Sequence, residues 1–228
     1  MEITVEVLAE NACHFGHKVC HWNPKMKPFL VGRKGGIHIF DLQKTVEKLK
    51  TVLEKIEKIS GEGRVILFVS TKSQTKTILE EIFQKTGHPI VKNKWVGGLL
   101  TNFDTIKRRV RRLKDLREFF KTGEIDKFPK KEQSVMRREM KKLENAFAGI
   151  LDMWKLPDAI FVIDGKRDKI AIREAKKIGI PIFGIADSNV DPENFTDFIP
   201  ANDDAIASLT FLLGQVFERV KKSKKIKK

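Results

Sequence analysis

Between residues 95 and 154 the apolar residues fall into two runs of helical spacing. Met136, Met140, Leu143, Phe147, Ile150 and Trp154 recur at alternating spacings of four and three, a heptad seam. Before them, Phe103, Ile106, Val110 and Leu113 keep the same rhythm, and Leu116 and Phe120 extend it less regularly. A break at Thr122–Pro129 separates the two runs. Two helices joined by so short a loop fold back as an antiparallel hairpin. From Phe103 to Trp154 there are fifteen Lys and Arg against nine Asp and Glu, densest at Lys107-Arg108-Arg109 and Arg111-Arg112. The stretch reads as a basic coiled-coil arm.

The chain on either side alternates between strand-like and helix-like segments. Arg64–Ser70 and Asp158–Asp164 are continuous apolar runs with polar ends, as in strands covered on both faces. Pro181–Asp187 is a further strand, Pro89–Val91 and Phe195–Ile199 are shorter ones, and Gly35–Asp41 looks like a strand end. Helical spacing marks Thr4–Cys13, Leu42–Ser60, Lys72–Thr86, Asp168–Gly179 and Asp203–Val220. Repeated strand–helix units imply an α/β, Rossmann-like parallel sheet flanked by helices. Counting Gly35–Asp41 as its first strand, the hairpin enters between the third and fourth. The expected organisation is a globular domain of residues 1–102 and 155–228 with an inserted hairpin of residues 103–154.

Residues 14–34 fit neither pattern. Pro24 and Pro28 argue against regular structure there, so the segment is expected to be a long ordered loop. Such loops usually exist to contact something.

With 228 residues and a formal charge of +15, the chain is large enough for a substantial core and calls for a polyanionic partner, nucleic acid before membrane. No apolar run is long enough to span a bilayer, and the first residues lack the order of a secretory signal. Two cysteines imply no disulfide framework, and a cytoplasmic setting fits.

A nucleotide- or sugar-phosphate-using enzyme is the alternative such a sheet raises. Its usual mark is a glycine-rich turn after the first strand. Asp41-Leu42-Gln43-Lys44 has no glycine, and Ser70-Thr71-Lys72-Ser73 suggests a phosphate contact without the P-loop glycines. Asp41, Asp164 and Asp187 stand at strand ends, where open sheets place catalytic groups, but capping the next element is the simpler role. Cys13, His14, His17, Cys20 and His21 raise zinc, yet their spacing fits no standard signature. The expectation is no catalytic residue, no metal, no cofactor and no small-molecule substrate.

Three basic elements remain: residues 14–34, the stretch 92–112, and the end of the chain, where seven of the last ten residues are Lys or Arg. In the first two, amide and aromatic side chains sit among cations, the mixture that structured RNA contacts use. The candidate RNA-contacting residues are His17, Lys18, Trp22, Asn23, Lys25, Lys27, Arg33 and Lys34, then Lys94, Trp95, Thr101, Asn102, Lys107, Arg108 and Arg111.

Longer stretches carry a resemblance. They are His14-Phe15-Gly16-His17, Trp22-Asn23-Pro24-Lys25-Met26, and Gly36-Ile37-His38-Ile39-Phe40-Asp41-Leu42-Gln43-Lys44-Thr45. Trp95-Val96-Gly97-Gly98-Leu99-Leu100-Thr101-Asn102-Phe103, Pro157-Asp158-Ala159, Gly179-Ile180-Pro181 and Ile199-Pro200-Ala201-Asn202-Asp203-Asp204 follow. Over nearly its whole length the chain resembles the bacterial-type small-subunit ribosomal protein S-two family. Cys13, Cys20, Ser188, Val190 and the short basic end are its own variants. The resemblance implies a flavodoxin-like sheet with a protruding coiled-coil hairpin and a non-catalytic role. It implies binding to small-subunit ribosomal RNA between head and body, late in assembly. It also implies neighbouring ribosomal proteins as partners, among them the large mRNA-binding protein S-one.

Overall fold

The computed structural model describes residues 3–220. The basic end of the chain lies, from residue 221 on, outside the described residues. Five strands form one parallel sheet: β4 (Ile66–Val69), β5 (Ile90–Val91), β6 (Ala159–Val162), β7 (Ile182–Ala186) and β8 (Asp197–Pro200). Their order is β5-β4-β6-β7-β8. Numbered by appearance within this sheet, that is the flavodoxin-like order 2-1-3-4-5.

Alternation along each strand explains why these runs are apolar throughout. Ile66 and Phe68 enter one apolar cluster, while Leu67 and Val69 enter another. Phe161 and Phe183 join the first, Ile160 and Ile182 the second. Helices α1 (Val5–Glu10), α2 (Leu42–Gly61), α3 (Lys76–Thr86) and α7 (Ile206–Arg219) cover the first face, through residues such as Leu8, Leu49, Ile56, Leu79 and Leu212. Helix α6 (Lys169–Ile178) covers the second with Ala171, Ile172 and Ala175. Each fully buried Leu, Ile or Phe contributes about 1.5–3 kcal/mol through lost contact with water.

Two expectations are corrected at the N-terminus. Residues 14–34 are not a loop. They form β1 (Phe15–Lys18), two 3-10 turns and β2 (Leu30–Lys34). The prolines stand where they are tolerated, Pro24 at the start of a 3-10 turn and Pro28 inside it, with no ladder bond to give up. The segment Ile37–Phe40, β3, does not belong to the parallel sheet. It lies between β1 and β2 in a separate antiparallel sheet. That sheet is tied to the larger one at Ser188, just beyond the carboxyl end of β7. The Ser188 hydroxyl accepts from the His17 amide at 2.8 Å, and its carbonyl accepts from the Asn23 amide at 2.7 Å. Gly16 permits the approach, because a Cβ there would stand 2.8 Å from the Ser188 hydroxyl.

The inserted helices are α4 (Phe103–Thr122) and α5 (Lys130–Phe147), which pack on one another. Gly123, at φ 76°, ends α4 in the left-handed conformation that favours glycine. Ile106, Val110, Leu113, Phe147 and Ile150 are buried in the same cluster as the second face of the sheet, so the base of the arm shares that core. Towards the turn, Met136 and Met140 are only half-buried. Helix α5 ends before the expected seam does. Gly149 lies so close to β5 that a Cβ would meet the Ile90 carbonyl oxygen at 2.2 Å. Met153 is buried instead of Trp154, whose ring is exposed beneath the Lys114 ammonium, 4.5 Å from its centroid.

Candidate nucleic-acid interface

In a doubly wound sheet the crevice for a ligand opens beyond the carboxyl ends of the strands, where the order reverses. Here β4 and β6 flank that point, and the chain fills it with its own charges. Lys72, from the Ser70–Ser73 turn, is buried, with Asp164 at 3.1 Å and Asp203 and Asp204 each at 2.8 Å. Burial disfavours its charge, but these carboxylates outweigh burial and raise its pKa. Asp203 is pushed up by burial and by Asp187 and Asp164 beside it. The expected helix cap is met at Asp41, which accepts from the Gln43 and Lys44 amides. Asp164 accepts from the Lys166 and Arg167 amides in the turn before α6, whose cap position is Asp168, and Asp187 accepts from the Ser188 and Asp203 amides instead of capping a helix.

His17 faces this cluster rather than solvent. Its Nδ1 lies 3.0 Å from Asp187 and its Nε2 3.3 Å from Asp204. The Asp187 hydrogen bond is the main cause of its raised pKa. Among the described residues, His17, Asp187 and Asp203 form the group whose geometry could hold a cation. The Lys72 ammonium lies on one oxygen of Asp203, Oδ1, while the other, Oδ2, is buried without a hydrogen-bond partner. Neither cysteine belongs to that group. Cys13 is buried, which pushes its thiol up to about 11, and Cys20 is exposed.

The Trp95–Asn102 loop is built around Glu174 of α6. One carboxylate oxygen accepts from the Trp95 indole at 3.0 Å and the Gly98 amide at 2.8 Å. The other accepts from the Leu100 and Thr101 amides at 3.0 and 3.2 Å and from the Thr101 hydroxyl at 3.3 Å. Burial raises the Glu174 pKa, but these donors outweigh it and the net shift is downward. Trp95 is buried with its N–H engaged, so it supports the loop and presents no open ring face to a base. Thr101 likewise spends its amide and hydroxyl on Glu174. Asn102 caps α4 without a side-chain cap bond and is exposed, as is Lys94.

The other candidates divide by whether their charge is already matched. Lys25 pairs with Asp191 and Glu193, and Lys107 with Asp104 at 2.6 Å. Arg108 donates to the Thr105 hydroxyl at 3.1 Å. Asn23 accepts from the Lys25 amide and so caps a 3-10 turn. Lys18, Lys27, Arg33, Lys34, Lys94 and Arg111 are exposed and, among the described residues, have no acidic partner. Trp22 is half-buried and stacks on His38, with ring centroids 4.7 Å apart. The antiparallel sheet thus gathers Lys18, Trp22, Lys27, Arg33 and Lys34, while the start of α4 carries Asn102, Lys107, Arg108 and Arg111. Sequence reasoning did not pick out Glu174, and its helical position among alanines and lysines carries no signal of a loop anchor.

The family model for ribosomal protein S2 matches residues 8–223. The chain belongs to the ribosomal protein S2 family. The small ribosomal subunit protein uS2 of Nitratiruptor sp. is 44% identical over 225 residues, covering 99% of this chain and 84% of the relative. The protein of that name from Coprothermobacter proteolyticus is 42% identical over 218 residues, covering 96% and 81%. Ribosomal S2 proteins are structural components of the small subunit and not enzymes. The filled crevice fits that role. Among the described residues no helix is long and apolar enough to cross a membrane.

Proposed function

We propose that the chain works in the cytoplasm, binding small-subunit ribosomal RNA at the junction of head and body and joining late in assembly. The observation that carries this is the set of exposed cations without acidic partners, on a chain whose relatives are small-subunit proteins. Six unmatched cations, on the antiparallel sheet and its turns, in the loop after β5 and on α4, favour a phosphate backbone. RNA supplies phosphates at fixed spacing, and Asn102 and Trp22 add polar and aromatic contacts among them. In this reading residues 103–154 are a coiled-coil unit whose basic face lies on RNA. Neighbouring small-subunit proteins, including the large mRNA-binding protein S-one, are the protein partners.

The test is a Lys107→Gln/Arg108→Gln/Arg111→Gln variant, titrated with salt against small subunits lacking this chain. The side chains are exposed, so stability should change by less than about 0.5 kcal/mol. Each lost phosphate contact should reduce the salt slope by about 0.7–0.9. Binding equal to the parent at every salt concentration would remove the arm from the RNA interface. Pull-down of S-one with subunits containing or lacking the chain tests that partner.

A further inference from the structure

Beside the outer edge of the antiparallel sheet lies a cleft of about 320 Å³, lined by Trp22, Lys27, Val31, Gly32, Arg33 and His38. This is at the lower end of the range of about 300–1,000 Å³ for small-ligand sites. Its wall is β2, an edge strand whose register slips between Leu30 and Gly32. Such an irregularity re-aims a side chain, and Val31 stands exposed at the rim. Gly32 has no heavy atom within 4 Å of where a Cβ would be, so nothing in the fold fills the space above it. His38 is nine-tenths buried, yet its Nε2 has no hydrogen-bond partner. A buried polar atom left unpaired costs free energy, and such an atom calls for a missing partner. Lys27 and Arg33 have no acidic partner among the described residues.

We infer that this cleft receives one base splayed out of an RNA strand. The base lies against the Trp22–His38 stack, its edge meets the His38 imidazole, and the flanking phosphates meet Lys27 and Arg33. An aromatic floor, a hydrogen-bonding group and flanking cations are what recognition of an unstacked base needs. An acidic peptide would use the cations but not the aromatic floor. The inference rests on the RNA-binding reading above and adds a defined subsite to it.

The experiment uses the full chain carrying Trp154→Phe, which leaves Trp22 as the tryptophan open to solvent beside the buried Trp95. It is titrated with a short unstructured oligouridylate, inorganic phosphate and polyglutamate, reading tryptophan emission and RNA anisotropy. The expected result is saturable quenching by the RNA oligomer alone. Gly32→Leu, which fills the cleft without touching a charge, should weaken oligomer binding roughly tenfold while leaving the melting temperature unchanged. Binding by anisotropy with unchanged Trp22 emission, or with no effect of Gly32→Leu, overturns the cleft and leaves the RNA reading standing. Equal quenching by polyglutamate overturns it in favour of a peptide. No binding of RNA to the chain or of the chain to subunits overturns both.

Discussion

Replacing Glu174 by Gln should detach the Trp95–Asn102 loop from α6 without changing the shape of either. The carboxylate accepts five hydrogen bonds, at 2.8 to 3.3 Å, two on one oxygen and three on the other. Gln keeps one acceptor oxygen and turns an NH2 group towards donors in place of the other. At least two loop donors then lose their acceptor, at about 1.5 kcal/mol each, so the expected loss is about 3 kcal/mol. For a chain of this size that lowers the melting temperature by about 6–12 °C. The pH dependence has a definite sign. The native pKa lies below the ordinary glutamate value of 4.5, so the stabilisation is present above that value and is lost as the pH falls through the native pKa. The acid limb of a stability profile should therefore be shallower in the Gln variant. Because the loop leads into α4, binding to subunits should weaken with an unchanged salt slope, since no phosphate contact is removed. Thermal melting by circular dichroism, repeated from pH 3 to pH 7, makes the measurement. A shift of less than about 2 °C at pH 7 would refute the claim that this carboxylate anchors the loop.

Other parts of the fold give equally definite expectations. Leu113→Ala, at a fully buried site in α4, should cost towards the upper end of about 2–5 kcal/mol, and Met140→Ala, half-buried in α5, towards the lower end, by denaturant unfolding. Asp197 is nearly buried at the start of β8 and pairs with Lys48 at 3.0 Å and Lys55 at 2.7 Å from α2. Both ammonium groups are partly exposed, so Asp197→Asn should cost only about 1–2 kcal/mol. Burial raises this carboxyl's pKa, but the two lysines outweigh it; the stabilisation is present above pH 3.8 and fades as the pH falls through the lowered native value. Cys13→Ser/Cys20→Ser should leave the zinc content of dialysed protein unchanged, and a full equivalent lost with the cysteines would contradict the geometry.

The parallel sheet was legible because burial on both faces forces continuous apolar runs, as in 65–69 and 159–163. Helices α4 and α5 were legible because four-and-three spacing marks the apolar stripe of a helix. The antiparallel sheet was not, because its strands are short and the burial of β1 and β2 follows no clean alternation. In β1 Phe15 is exposed while Gly16 and His17 face inward, so prolines and glycines dominated the reading. Which candidate side chains stand open and which are engaged by the fold was not legible. A tryptophan among lysines looks the same in sequence whether it stacks on a base or is buried; Trp22 and Trp95 differ because Glu174 lies within reach of one of them. The polar Ser70–Ser73 turn suggested a phosphate contact without the glycines for one, while the carboxylates that bury Lys72 come from turns some ninety to a hundred and thirty residues away.

Sucrose-gradient sedimentation of cell lysate, with the chain quantified in every fraction, tests the central claim most directly. The account predicts that it travels with the small ribosomal subunit at one copy per particle and is released as salt is raised. A chain that stays at the top of the gradient with the soluble enzymes, at every salt concentration, would contradict it.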